Sequence, residues 1–237
     1  MTNFFKLISI FILCSQICSC QKMVTGNGIS ATESRNLNGS FNSIEVSTGI
    51  DLYLTQSQTT SISVKADKNL MEFINTEIEG ETLKIFMKGN IKHKNATKVM
   101  VHFKTIEQIT ASSGSDVFST NSIKVSKLGL TTSSGSDMKL SVETDHLESN
   151  CSSGSNLTLE GVTRIFIGKS SSGSDLNASK LIAETCEANA SSGADLSVNC
   201  LESFNANASS GGSIKNYESS IKTVKNSSSG GKISTKN

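Results

Sequence analysis

Five residues have the types and the spacing to act as a set: Asp116, Asp137, Asn156, Asp175 and Asp195. Each stands two positions after the glycine of a recurring Ser-Ser-Gly turn. Stacked at the strand spacing of about 4.8 Å, neighbouring carboxylates would repel by roughly 1 kcal/mol even in bulk water. A hard cation such as Ca²⁺ would offset that repulsion, since it favours carboxylate and carbonyl oxygens. Turn N–H groups and serine hydroxyls bonded to each carboxylate would also do so. Calcium-binding nonapeptide repeats carry a related G-G-x-G-x-D pattern, but every nine residues. Here the acid returns once per turn of the repeat, so a facing half-site is missing, and Asn156 removes a charge in mid-column. The expectation is a column held by local hydrogen bonds, with no metal.

Acid–base machinery is equally sparse. His93, His102 and His146 lie far apart, and arginine occurs only at Arg35 and Arg164. The Asp145-His146 pair reads as surface hydrogen bonding. No constellation of His, Arg and Glu converges, so no catalytic residue and no cofactor is expected.

The elements that would position these residues follow from the repeat, which is sought before anything else. Ser-Ser-Gly closes at Gly114, Gly135, Gly154, Gly173, Gly193, Gly211 and Gly230, at intervals of 21, 19, 19, 20, 18 and 19 residues. Three residues after each glycine stand Val117, Met138, Leu157, Leu176, Leu196, Ile214 and Ile233. Seven before it, the interior copies carry Leu128, Leu147, Phe166, Cys186 and Phe204. Between those and the turn lie small residues such as Cys151, Gly168, Ala188, Ala190, Ala206 and Ala208. The step of two on both sides is strand periodicity. Each copy is therefore strand, turn, strand, and only stacking can bury its apolar side. Neither a leucine-rich pattern nor a hexapeptide period is present. The fold class expected is all-β, a right-handed parallel β-helix with rungs of about 19–20 residues. The glycine supplies φ > 0 at the corner, and Ser155 is expected on its outward side. Ser47-Thr48-Gly49-Ile50-Asp51-Leu52 looks like a degenerate copy of the same turn.

The start of the chain suggests a compartment. Lys6 precedes an apolar run from Leu7 to Cys14 that is too short to span a membrane. Ile17-Cys18-Ser19-Cys20 resembles the lipobox of bacterial lipoproteins, which makes Cys20 the expected lipid attachment site. The domains expected are a signal peptide (1–19), a tether (20–25) and a single β-helix domain (26–237). Within it, 26–110 would form irregular first rungs and a cap, and 111–237 the regular rungs. Without Lys6 the positive and negative charges balance, so there is no electrostatic footprint for nucleic acid. Among Cys151, Cys186 and Cys200, one Cys186–Cys200 bridge or three buried thiols are open.

Gly26-Asn27-Gly28, FNSIEVSTGIDLYLTQ (41–56), ADKNLMEFI (66–74), EGETLKI (79–85) and the SGSD turns together resemble the auto-transporter adhesin family with a head GIN domain. Such proteins are common among Bacteroidota lipoproteins. The resemblance spans roughly 26 to 237 and implies a β-helical exported protein with no catalytic residue to carry over. The partners expected are a membrane, through the lipid anchor at the outer membrane, and a glycan or envelope protein along an extended wall. A purely structural envelope role and a glycan-active enzyme are the alternatives.

Overall fold

Alternation on both sides of every Ser-Ser-Gly turn gives strands with one dry side, and the chain winds those sides inward. The computed structural model describes residues 23–92 and 95–235. It is a parallel β-solenoid of about seven turns. In the regular coils a single strand runs through nearly the whole turn of the solenoid, as in Asp137–Cys151, Asn156–Ser170 and Asp175–Ala190. The inside–outside alternation changes phase at Asp145 and His146, two successive residues that both face away from the core. That is the second bend of the coil, opposite the Ser-Ser-Gly corner in the repeat.

Identical positions stack. The pairing registers run Val99–Leu52–Val117–Met138–Leu157–Leu176–Leu196–Ile214–Ile233. All of these are buried except Ile233, at the exposed last coil. A second column runs Leu128–Leu147–Phe166–Cys186–Phe204. The small residues fit a narrow interior: a Cβ added to Gly168 would lie 2.9 Å from the Phe166 ring and 3.3 Å from Leu196. The large ring and the missing side chain are one packing solution.

The corner is tighter than the glycine alone implies. Ser153 (φ 56°) and Gly154 (φ 66°) are both left-handed, and the Ser155 N–H closes on the Ser152 carbonyl at 3.3 Å. This is a type I′ turn, which requires φ > 0 at both central residues. Corners also bond to each other: Gly114, Gly135 and Gly154 donate to the carbonyls of Ser134, Ser153 and Ser172 at 3.1–3.2 Å. The left-handed serine thus presents its carbonyl to the coil before it. Ser155 itself turns inward and is fully buried, contrary to the outward placement expected. After two left-handed residues the chain re-enters the strand with that side chain beneath the corner. There its Oγ donates to the Ser152 carbonyl at 2.7 Å.

The first third is built from coils, but not in chain order. Thr48-Gly49 is a true copy of the corner, with both residues left-handed and Asp51 in register with Asp116. Its coil, Ser43–Val46 and Asp51–Gln56, lies between two others. One side pairs with Gln108–Ala111 and Asp116–Ser119, the other with Thr82–Met87 and Lys98–Phe103, all parallel. The outermost layer is antiparallel: Ile74–Glu79 on Thr82–Met87, Ser61–Asp67 on Lys98–Phe103, and Ser30–Arg35 on Ser61–Asp67. Reversing direction there ends the parallel template, which protects an otherwise sticky edge. A 3-10 helix, Lys68–Phe73, tucks Leu70 and Met71 under this cap.

The other end is finished by charge. Lys225 occupies the register of the inward-facing Ala206, and its Nζ donates to Thr235 Oγ1 at 2.9 Å. An inward-pointing lysine on the last coil opposes further stacking.

Candidate functional site

The residues singled out for chemistry do not converge. Cys20 and His93 lie outside the described residues. His102 Nδ1 is 3.0 Å from Ser61 Oγ on the capped end, and His146 sits at the second bend with Asp145 and Arg164. Arg35 serves the cap, donating to the Met71 carbonyl at 2.9 Å and pairing with Glu33 at 3.2 Å. Among the described residues no three His, Cys, Asp or Glu side chains gather closely enough to hold a metal ion.

The acidic column does form, and it extends beyond the five residues foreseen. Its register is Lys98–Asp51–Asp116–Asp137–Asn156–Asp175–Asp195–Ser213–Lys232. A lysine stands at each end of the run. Among the described residues, the hydrogen bond within the column is from Asn156 Nδ2 to Asp137 Oδ1, at 2.7 Å. The expected caps from turn N–H groups and serine hydroxyls are absent there, because those N–H groups bond to neighbouring coils and the serine hydroxyl turns inside. Partial burial, then Asp137 and Asp51, raises Asp116 above the usual carboxylate value. Burial and then Asp195 do the same for Asp175.

Cys151, Cys186 and Cys200 are free and buried, so the open choice resolves to three thiols. A hydrogen bond to Cys200, reinforced by burial, pushes the Cys186 thiol far above its ordinary range. It is an inert core group rather than a nucleophile.

The feature with recognition chemistry is a wall beside the Ser-Ser-Gly corners. Asn150, Lys169, Asn189, Asn207 and Asn226 stack in register, four positions before each glycine. Asn207 Nδ2 donates to Asn189 Oδ1, and Asn226 Nδ2 to Asn207 Oδ1, both at 3.0 Å. The amides thus form a polarised ladder. Lys169 is tethered to Glu148 at 3.1 Å. Asn150, Lys169, Asn189 and Asn207, with Ser152, Ser171 and Ser191, line an open groove of about 460 Å³ running along the stack, and Asn226 extends the ladder beyond it. No ligating residue was predicted here, although the asparagines share one register in the repeat.

A family model described as "putative auto-transporter adhesin, head GIN domain" matches residues 40–219. The chain belongs to this family. Crystal structures of related shape accord with the fold. A "putative adhesin" from Bacteroides fragilis superposes with a TM-score of 0.81 at 21% identity, covering 90% of this chain and 100% of that one. A "putative lipid binding protein" from Parabacteroides distasonis gives 0.73 at 18% identity, covering 91% and 100%. A "putative adhesin" from Parabacteroides merdae gives 0.69 at 17%, covering 91% and 99%. At these identities the likeness speaks for the fold alone. No curated protein matches the sequence. The family and these neighbours bear adhesin or binding names rather than enzyme names. The adhesin-like family suggests a cell-envelope protein. No helix among the described residues is long and apolar enough to cross a membrane.

Proposed function

We propose that this protein is a non-enzymatic adhesin-like lipoprotein, anchored through Cys20 at the outer membrane, that binds an extended glycan along its asparagine wall. The observation that carries the reading is the Asn189–Asn207–Asn226 ladder beside the corner serines. It repeats amide donors and acceptors at the strand spacing, about 4.8 Å. A polymer of hydroxyl-bearing units can engage such a surface weakly at each unit and additively along its length. Chemistry has no part in it, since no histidine, aspartate or glutamate lines the groove to activate a nucleophile, and the Cys151 thiol beneath it is buried.

A glycan array carrying oligosaccharides of graded length tests this. Affinity should rise with length, and Asn189→Ala, Asn207→Ala and Asn226→Ala combined should weaken it severalfold while the fold persists. Absence of binding, binding indifferent to both length and the triple substitution, or turnover of a polysaccharide would each overturn the proposal.

A further inference from the structure

The longest interval of the repeat makes a second cavity, on the wall that follows the corner. Pairing places Phe118 opposite Lys139 and Ile123 opposite Val142. Four residues, Ser119 to Ser122, thus span what two residues, Leu140 and Ser141, span in the next coil. This is where the 21-residue interval stores its extra length. The loop leans one way: Thr120 and Asn121 bond to the coil of Leu54–Gln56. Thr120 N–H donates to the Leu54 carbonyl at 2.8 Å. The Asn121 side chain takes the Gln56 N–H at 3.0 Å and donates to its carbonyl at 2.9 Å. On the opposite side a groove of about 430 Å³ opens between the loop and the next two coils. Ser119 Oγ, accepting the Ser141 N–H at 2.8 Å, ties the two sides together.

The lining is unusual for this chain. Phe118 occupies an outward column that otherwise continues as Lys139, Thr158, Asn177, Ser197 and Lys215. Its ring is braced from behind by Tyr53, with centroids 5.4 Å apart and planes at 28°. Lys98 lies over the far ring, 5.4 Å from the Tyr53 centroid. Such stacking fixes the Phe118 ring at little entropic cost on binding. Lys139 and Glu160 face the same groove, and neither is held in an ion pair or a side-chain hydrogen bond among the described residues. The groove therefore offers a rigid aromatic surface, a free three-fold donor and a free acceptor, within the volume range of small-molecule sites.

We infer that this groove is a binding site for a single neutral pyranose unit. A pyranose has one face of C–H bonds, which packs on an aromatic ring, and a rim of hydroxyls that donate and accept together. That combination matches Phe118 with Lys139 and Glu160. A peptide side chain would use the ring or the charges but not all three. An acidic sugar or a phosphate is disfavoured, because the groove's own lining carries one positive group, Lys139, and one negative group, Glu160, and so no net charge. The site shares its ligand class with the reading above but stands on different residues and a different wall.

The test is titration of the whole protein with methyl glycosides of neutral hexoses and of a hexuronic acid, followed by saturation-transfer NMR. At least one neutral glycoside should bind and the uronate should not. Phe118→Ala should weaken binding about tenfold, which is the upper range for an aromatic stacking contact. Phe118→Trp should preserve it, and Glu160→Gln should weaken it severalfold. Glu160 is exposed and without a partner among the described residues, so that substitution cannot act through the fold. The Asn189, Asn207 and Asn226 triple substitution should leave these affinities unchanged, which separates this site from the long-chain wall. No neutral glycoside bound at tens of millimolar, uronate bound preferentially, or Phe118→Ala binding like the parent would overturn the inference.

Discussion

Replacing Ser155 with alanine isolates what the inward-turned corner hydroxyl contributes. Ser155 Oγ donates to the Ser152 carbonyl at 2.7 Å and accepts the Ser152 N–H at 3.2 Å, with Thr132 Oγ1 and Cys151 Sγ each at 3.3 Å. A hydroxyl has one proton, so one donated bond is lost, worth about 0.5–1.5 kcal/mol net. The former partners are not stranded: the Ser152 N–H keeps the Thr132 carbonyl at 3.0 Å, and Thr132 Oγ1 still donates to Cys151 Sγ at 3.2 Å. Some cost remains for a void of one oxygen, which brings the total to about 1–2 kcal/mol. The protein carries its own control two coils along. There Ala194 occupies the same position, buried, and its N–H closes the turn on Ser191 at 3.2 Å. The backbone corner therefore forms without the hydroxyl, and Ser155→Ala should fold. Urea unfolding followed by circular dichroism should show a lower midpoint at unchanged slope, and a melting temperature lower by about 2–8 °C for a chain of this size. Leu157→Ala, in the fully buried column, should cost more, about 2–5 kcal/mol. A midpoint for Ser155→Ala within about 0.3 kcal/mol of the parent would refute the assignment, since a buried bonded hydroxyl cannot be that cheap to remove.

Three further perturbations probe other regions of the molecule. Ser153 is exposed and left-handed, and asparagine tolerates that conformation better, so Ser153→Asn should raise stability by up to about 1 kcal/mol in the same urea assay; a loss would mean the serine is unstrained. Asp116 and Asp175 have raised values in the folded state, so the folded protein binds more protons between the ordinary and the raised value, and stability grows as pH falls through that window. Asp116→Asn with Asp175→Asn should therefore raise the melting temperature at about pH 7 and lose that advantage near about pH 3; an equal difference at both would exclude the carboxylates as its source. Cys20→Ser should leave the protein unacylated and released from the membrane fraction, whereas continued acyl labelling or anchoring would reject the lipobox assignment.

The solenoid was legible because two signals agreed. The apolar residue three after each glycine is a column in the structure, and the even spacing could only be kept by stacking. Corner details were less accessible. That Ser153 joins Gly154 in the left-handed region, and that Ser155 consequently faces the core, depends on the turn type, which Ser-Ser-Gly does not specify by composition. The acidic column was foreseen but its caps were not, because neighbouring coils claim the N–H groups that an isolated turn would have offered. In the first third of the chain, nothing local marks Ser43–Gln56 as the second level of the stack rather than the first. The asparagine ladder was present in the repeat at a fixed register, but asparagine is so common here that its periodicity carried little contrast. The groove at Phe118 had a visible trace, the single 21-residue interval. The segment bearing Cys20 lies outside the described residues.

The out-of-order stacking at the N-terminal end also gives the molecule a mechanical polarity. A pull on the C-terminus meets Lys232–Thr235 and Lys222–Ser227, each bonded along one edge to the coil beneath. Removing them exposes another such edge, so the stack can unravel coil by coil at a low, repeating force, as nearest-neighbour stability implies. A pull on the N-terminus first strips Val24–Thr25 from Ile91–Lys92, then Ser30–Arg35 from Ser61–Asp67. It then reaches Ser43–Val46, which is clamped along both edges by Thr82–Met87 and Gln108–Ala111. Two ladders must fail together before that coil leaves, and its departure would split the cap from the repeat. A protein tethered by its N-terminal end would thus carry tension through its most resistant junction, while the distal coils could give way and re-form without loss of the attachment.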